Sequence, residues 1–148
     1  MYHGWSDAAI APENAIDYYK SVVGKMSQRE TDAFMRLYMV PGMQHCFGGP
    51  GPNSFGQALE CTQCDAQHDI FTALERWVEQ GVAPDVIIAT KFANDFVPAN
   101  PIRTRPLCPY PMVAKYKGTG SIDDAASFTC GAPVTGDGQG HRNVADRQ

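Results

Sequence analysis

Apolar residues recur at helical spacing in two stretches of the chain. The first follows Ala11-Pro12-Glu13, where proline suits the opening turn of a helix and glutamate suits its positive end. We expect that helix to end at Gly24. The second covers about residues 68–80, with Gly81 as its stop, and its apolar residues share a single face. This face is expected in the core and consists of Ile70, Phe71, Leu74, Trp77 and Val78.

Shorter apolar runs bounded by glycine and proline predict strands. Residues 2–7 resemble the end of a strand that opens into a loop, and residues 34–40 predict a buried strand before a Pro-Gly pair. Ser27-Gln28-Arg29-Glu30 matches a capping box, so a short helix should precede that second strand. Residues 86–90 and 112–116 predict two more strands. Strands that alternate with helices favour an α/β fold.

The composition is that of one loop-rich domain. A chain of 148 residues has the size of an ordinary domain, and its 14 glycines and 11 prolines exceed average usage. Neither an internal repeat nor a linker divides it. We therefore expect one domain over residues 1–130 and a flexible, glycine-rich tail over residues 131–148.

The charge balance argues against two classes of partner. A net charge of −4 leaves no excess of cations to meet the phosphates of a nucleic acid or an anionic membrane. No apolar run approaches the ~20 residues that a membrane span needs. The first residues also show no signal peptide.

The cysteines of this chain are numerous, and their number, five, is odd. One sulfur therefore has no partner within the chain, so either a thiol is free or its partner lies on another piece of polypeptide. Stable disulfides belong to oxidising compartments, yet no signal peptide precedes these cysteines. We therefore expect the chain to lack its beginning. The five are Cys46, Cys61, Cys64, Cys108 and Cys130.

Two candidate catalytic groups follow predicted strands. Asp7 lies in a tight turn after the first strand, and His45 lies in a glycine-rich loop after the strand at residues 34–40. If these strands are parallel, both loops emerge at the same end of the sheet. A carboxylate and an imidazole so placed can act as the orienting acid and the general base of a nucleophile.

The nucleophile of such a relay is missing from the sequence. The order Asp then His is that of α/β-hydrolases, in which the nucleophile comes first in the chain. No Gly-x-Ser-x-Gly motif is present, however. The nearest approach is Gly118-Thr119-Gly120-Ser121, which follows the histidine and precedes no clear helix.

Four motifs stand in order along the chain: HGWSD at 3–7, GMQHCFGGPGP at 42–52, ALERWVEQGVAP at 73–84 and RTRPLCPYP at 103–111. Together they resemble the C-terminal part of the tannase and feruloyl esterase family, over residues 2 to about 130. That family comprises secreted serine esterases of α/β-hydrolase fold. The resemblance implies that this chain is the C-terminal portion of such a fold, incomplete without its upstream strands and inserted lid domain. It also implies hydrolysis of esters of aromatic acids such as gallate or ferulate.

The resemblance assigns roles to individual residues. Asp7 resembles the triad acid and His45 the triad base. Cys46 resembles the cysteine that the family bonds to a cysteine adjoining the nucleophilic serine, and Cys108 with Cys130 matches the family's C-terminal disulfide. The serine and the lid domain, which carries the family's calcium site, would lie upstream of Met1. No cofactor or metal is therefore expected in this segment.

The remaining histidines and cysteines are expected to have no catalytic role. His3 is expected to be a structural residue at a strand end, and His68 to lie at a helix start or on the surface; His141 receives no role. Cys61 and Cys64 are not a family feature that we recognise, and they either form a local bridge or stay reduced. With His68 they have only partial zinc-ligand spacing, because no second clustered pair is present.

These observations predict an esterase segment that is inactive alone, because it lacks a nucleophile and an oxyanion hole. The resemblance implies a secreted or periplasmic protein with an aromatic-acid ester as its substrate in the complete enzyme. An exposed sheet edge would favour association with an upstream chain or with a second copy. Two alternatives stay open: a non-enzymatic remnant or binding module, and one half of a split esterase whose other chain supplies the serine.

Overall fold

A parallel pair of strands organises the N-terminal part of the molecule. The computed structural model describes residues 1–58 and 63–134. Strand β1 (Tyr2–Gly4) pairs in parallel with β2 (Tyr38–Val40), and Gly4 lies opposite Val40. Helices α1 (Pro12–Met26) and α2 (Gln28–Asp32) form the crossover between the two strands. The loops that follow β1 and β2 therefore leave the sheet at the same end, as the sequence predicts.

The ends of the first two helices differ in part from the prediction. Helix α1 continues through Gly24 to Met26, so the predicted stop was wrong. A side chain at position 24 would meet nothing within 4 Å, which means that this glycine has no packing role. Ser27 caps α2 as predicted, since its hydroxyl oxygen accepts a hydrogen bond from the Glu30 backbone N–H. The hydroxyl in turn donates to the Glu30 carboxylate, in place of the backbone amide that a full capping box would use.

Strand β2 lies at the centre of the core. Tyr38 and Val40 face one cluster of buried side chains, and Leu37 and Met39 face another, so the strand is buried on both sides. The prediction of a buried strand is confirmed, although only three of its residues pair in the sheet. The first cluster also contains Met43, Phe55, Ala73, Ile87, Ala89 and Leu107, and the second contains Ile16 and Tyr19.

Two antiparallel hairpins complete the α/β architecture. Strand β3 (Ile87–Phe92) pairs with β4 (Pro101–Leu107), and β5 (Val113–Tyr116) pairs with β6 (Phe128–Gly131). A disulfide between Cys108 and Cys130 joins the end of β4 to β6. Closing a loop of this length contributes about 3 kcal/mol in a simple chain-entropy picture.

The predicted tail begins at the last residue of β6, a strand that the sequence pattern does not predict. Residues 135–148 lie outside the described residues, so the division of the chain at residue 130 stays a prediction. No helix within the described ranges is long and apolar enough to cross a membrane.

Helix α3 (Ile70–Gln80) has the predicted ends but not the predicted burial. The Asp69 carboxylate caps its first turn, and Gly81 ends it at a φ of 71°. The expectation that its whole apolar face lies in the core was wrong, because only Ile70 of that face packs against the first buried cluster in the described residues. The helix turns its small residue Ala73 inward, while Phe71, Leu74 and Val78 are 45%, 51% and 78% exposed. Trp77 is half-buried beneath the Arg36 guanidinium, which lies 5.2 Å from its ring centre.

Candidate active site

The turn after β1 and the loop after β2 are joined by their main chains. The Trp5 N–H donates to the Val40 carbonyl at 2.9 Å, and the Ser6 N–H donates to the Met43 carbonyl at 2.9 Å. Gly4 makes this approach possible, because a Cβ at position 4 would lie 2.3 Å from the Met43 carbonyl oxygen. The glycine therefore brings the two loops to within hydrogen-bond distance of each other.

The loop after β2 folds back on itself through its glycines. The Gln44 N–H donates to the Gly48 carbonyl at 3.1 Å. Gly49 has a φ of 103°, and a Cβ there would lie 2.1 Å from the Gly42 carbonyl oxygen. These close approaches explain the density of glycine in this segment and leave His45 near the turn of the loop.

Asp7 and His45 are in direct contact. The Nδ1 atom of His45 lies 2.8 Å from Oδ2 of Asp7. The Asp7 side chain is only 3% exposed, whereas that of His45 is 52% exposed. An ionised carboxylate only accepts hydrogen bonds, so Nδ1 carries the proton and Nε2 of the neutral ring is a proton acceptor. No hydroxyl group of residues 1–58 or 63–134 donates to that Nε2.

Backbone donors hold the Asp7 carboxylate in place. Its Oδ1 accepts hydrogen bonds from the N–H groups of Ala9 at 2.8 Å and Ile10 at 3.0 Å. The Ile10 N–H is the largest influence, and together with His45 and Ala9 it outweighs desolvation and lowers the pKa of Asp7 to about 2. The group is therefore a carboxylate at any neutral pH, as the orientation of an imidazole requires.

His3 also contacts the Asp7 carboxylate, a contact that the sequence pattern does not predict. Its Nε2 lies 3.3 Å from Oδ2 of Asp7 and 3.1 Å from the Ile10 carbonyl oxygen. It thus links the strand end to the turn that carries the carboxylate. The available signal was the spacing of a histidine and an aspartate four residues apart in one tight turn, but such a pair occurs in many turns without any catalytic role.

We expect Asp7 to make stability depend on pH only in acid. Its pKa in the folded chain is about 2, below the ~3.9 of an unfolded aspartate. The stabilisation is therefore complete above about pH 4 and is lost as the pH falls towards 2. Denaturant unfolding at pH values from 5 to 2 should show the wild type losing more stability than Asp7→Asn. Asp17→Asn, on the exposed face of α1, is the control and should follow the wild type. Equal losses in the free energy of unfolding between pH 5 and pH 2 in the wild type and in Asp7→Asn would contradict this expectation.

Apart from His3, the structure does not place the other serine and histidine residues considered above next to Asp7 and His45. Ser121 Oγ accepts from the Asp123 N–H at 3.1 Å and has no contact with His45. His68 lies just before α3, where its Nδ1 pairs with the Asp65 carboxylate at 2.9 Å. His141 lies outside the described residues. The geometry thus unites Asp7 with His45 and leaves these other groups in local structural contacts.

Among the described residues, some cysteines are bonded in disulfides and Cys46 has a free thiol. Cys64 is disulfide-bonded, so its thiolate is not available to a zinc ion, and Cys61 lies outside the described residues. Cys46 carries a free, exposed thiol next to His45 and has a φ of 67°, which is uncommon for a residue other than glycine. In the described ranges no three His, Cys, Asp or Glu side chains are grouped to hold a metal ion. The residues there do not fit the calcium site that the family resemblance implies for a lid domain.

The sequence of this chain matches a protein-family model and several known proteins. The family model described as "Tannase and feruloyl esterase" matches residues 1–131. An uncharacterized esterase of Xanthomonas campestris is 44% identical over 144 residues, with 88% of this chain and 25% of the relative covered. The mono(2-hydroxyethyl) terephthalate hydrolase of Piscinibacter sakaiensis is 43% identical over 133 residues, with 90% and 19% covered.

A solved structure resembles the fold as well. The crystal structure of an esterase from Aspergillus oryzae superposes with a TM-score of 0.80 at 35% identity, and covers 87% of this chain and 26% of the esterase. The chain thus spans about a quarter or less of the length of the relatives that it matches.

Proposed function

Since this chain belongs to the tannase and feruloyl esterase family, we propose that it supplies the general base and the orienting carboxylate of a serine carboxylesterase. The observation that carries the proposal is the 2.8 Å contact between His45 Nδ1 and the buried Asp7 carboxylate, with Nε2 left open. This arrangement is what proton transfer to and from a neighbouring hydroxyl requires.

In the proposed reaction, a serine oxygen attacks the ester carbonyl while its proton passes to His45 Nε2. The positive imidazolium is stabilised by Asp7, which stays ionised. When the tetrahedral intermediate collapses, Nε2 gives that proton to the departing alcohol and an acyl-serine remains. Water then attacks the acyl group, again losing a proton to Nε2, and the serine is released with the carboxylic acid.

We place the serine, and the donors that bind the oxyanion, in polypeptide outside this chain. The relatives are about four times as long or longer, and the described residues bring no hydroxyl to Nε2. The exposed side chains of Phe71, Leu74 and Val78 on α3 form an apolar stripe of the kind that a neighbouring element covers. We therefore interpret the chain as the C-terminal portion of an α/β-hydrolase fold, with this stripe against the remainder.

Cys46 supports the same interpretation. Its free thiol is exposed on the residue after the base. A disulfide from this thiol to a cysteine beside the nucleophile would restrict the distance between serine and His45, on which proton transfer depends. We propose that bond for the complete enzyme.

The substrate class that we propose is an ester of an aromatic acid. The family is named for tannase and feruloyl esterase, and one relative is named for hydrolysis of a terephthalate ester. The Cys108–Cys130 disulfide supports a location in an oxidising compartment, which makes secretion or export to the periplasm our proposed destination.

The test is a gain of activity on completion of the enzyme. We define the chimeric enzyme as the Piscinibacter sakaiensis hydrolase in which this chain replaces the segment that it matches. The chain alone should hydrolyse mono(2-hydroxyethyl) terephthalate no faster than buffer, whereas the chimeric enzyme should turn it over. Robust turnover by the chain alone that His45→Ala abolishes would contradict our placement of the nucleophile. A folded but inactive chimeric enzyme would contradict the proposed role of the chain.

A further inference from the structure

A polar network outside the Asp7–His45 pair contacts the loop that carries His45. It consists of Lys91, Asp95 and Asn53. The Lys91 ammonium donates to the Gly49 carbonyl at 2.5 Å, and the Asn53 amide donates to the Gly51 carbonyl at 3.0 Å. Both donors also bind the Asp95 carboxylate, Asn53 at 2.7 Å. The Gly49 carbonyl is thus bound by a side chain 42 residues away, and the Gly51 carbonyl by a side chain two residues further along the same segment.

The network is anchored to β3. Lys91 belongs to that strand, and its side chain is only 12% exposed. Asn53 is 6% exposed, and the segment that contains it is joined to β3, since the Thr90 N–H donates to the Ser54 carbonyl at 2.7 Å. Lys91 and Asn53 are therefore both attached to β3, which is paired with β4.

Asp95 orients the two donors from the connection between β3 and β4. Asn94 and Asp95 both lie in the left-handed region, with φ values of 58° and 56°, a conformation that costs free energy for residues other than glycine. Burial would raise the pKa of the Asp95 carboxyl, but the hydrogen bonds from Lys91 and Asn53 hold it below its usual value. The carboxylate therefore stays charged and keeps its attraction for Lys91.

His45 depends on its loop for its position. Its side chain is half exposed, so surrounding packing does not hold it, and its hydrogen bond is to Asp7 alone among the described residues. The Gln44 N–H donates to the Gly48 carbonyl, next to the carbonyl that Lys91 binds. A displacement of Gly49 would therefore strain the hydrogen bond between Gln44 and Gly48, and Gln44 is the residue before His45.

We infer that Lys91, Asp95 and Asn53 are positioning residues that hold Gly49 and Gly51 and so keep His45 Nδ1 in hydrogen-bond contact with Asp7. Their importance for turnover rests on the proposed function, whereas their effect on the loop is a property of this chain. A displacement of about 1 Å in a reacting group costs on the order of a hundredfold in rate, so such support is significant for catalysis.

The first test measures the loop in the full chain, without any substrate. In Lys91→Met, amide hydrogen exchange at Gln44 should accelerate about ten- to a hundredfold, the factor expected for loss of a charged hydrogen bond. The NMR signal of the hydrogen-bonded Nδ1 proton of His45 should weaken or disappear. Lys91→Arg keeps the cation and should show the wild-type exchange rate at Gln44 and the wild-type Nδ1 proton signal. Lys20→Met, on an exposed position of α1, should change neither quantity.

The amide of Ala73 distinguishes local from global effects, because its N–H donates to the backbone carbonyl of Asp69, the N-cap residue of α3, away from the loop that carries His45. Its exchange should not change in Lys91→Met. An unchanged Gln44 amide, or equal acceleration at Gln44 and Ala73, would overturn the inference. If Lys91→Met does not fold, Asp95→Asn carries the same test, because it removes the charge and keeps the side-chain shape.

The second test uses the chimeric enzyme. Lys91→Met should lower kcat at least tenfold and change KM less than twofold, because the histidine is displaced while substrate contacts remain. Unchanged kcat would overturn the positioning role. If the chimeric enzyme with Lys91 intact is inactive, the proposed function fails, and the inference is judged by the exchange and NMR measurements alone.

Discussion

In the chimeric enzyme, His45→Ala is expected to lower kcat/KM by about six orders of magnitude. The substitution removes the imidazole that Asp7 orients and whose Nε2 is open to take the serine proton, while that imidazole is 52% exposed and leaves no buried cavity behind. The folded enzyme should therefore persist, with its unfolding temperature near that of the parent. Initial rates of mono(2-hydroxyethyl) terephthalate hydrolysis measure the effect.

Asp7→Asn should cause a smaller loss of about four orders of magnitude, because an asparagine amide cannot hold Nδ1 protonated as a carboxylate does. His68→Ala is the matched control, since His68 also pairs with an aspartate, at 2.9 Å, but outside the candidate site. It should reduce activity less than twofold. Equal losses in His45→Ala and His68→Ala would show that neither residue acts as the base.

Gly4→Ala is expected to have the largest effect of any substitution outside the Asp7–His45 pair. The added methyl would lie 2.3 Å from the Met43 carbonyl oxygen and 2.4 Å from that of Gln44. Because both neighbours are backbone atoms, the loop must retreat by about 1 Å, and we expect roughly a hundredfold loss of kcat in the chimeric enzyme. Overpacking should also lower the free energy of unfolding by about 1–3 kcal/mol.

Gly24→Ala provides the opposite control. A methyl group at position 24 meets nothing within 4 Å and lies inside α1, where alanine favours the helix over glycine. That variant should gain about 0.5–1 kcal/mol in the free energy of unfolding with unchanged activity. Full activity in Gly4→Ala would mean that the close approach of the two loops does not determine the geometry of the site.

Local patterns predicted most of the secondary structure because the signals are themselves local. Ser27 caps α2 and Gly81 ends α3 through contacts within one helical turn. The prediction that α1 ends at Gly24 was wrong, because a glycine ends a helix only where the chain must adopt a positive φ. An amphipathic helix can carry an exposed glycine at a modest cost in the free energy of folding.

Burial was harder to predict than helicity. Periodicity showed that Phe71, Leu74 and Val78 share a face, but not which element covers that face. In the described residues Ala73 packs inward and the apolar stripe stays exposed, an outcome that depends on the packing partners of α3 rather than on its own sequence.

The candidate site was predictable where the residues follow strand ends. Asp7 and His45 come directly after two strands that the sequence indicated, and parallel pairing brings them together. The network of Lys91, Asp95 and Asn53 was not predicted. Its contacts from Lys91 to Gly49 and from Asn53 to Asp95 each span 42 residues of sequence, and they depend on left-handed residues that no local motif marks.

The central claim is that Asp7 and His45 form two parts of a relay whose attacking hydroxyl comes from outside this chain. A crystal structure of the active chimeric enzyme measures it directly. We predict that the nucleophilic serine Oγ lies about 2.6–3.2 Å from His45 Nε2, with the contact between Nδ1 and Asp7 retained. An active enzyme in which that serine lies more than twice as far from Nε2, and pairs with another base, would contradict the claim.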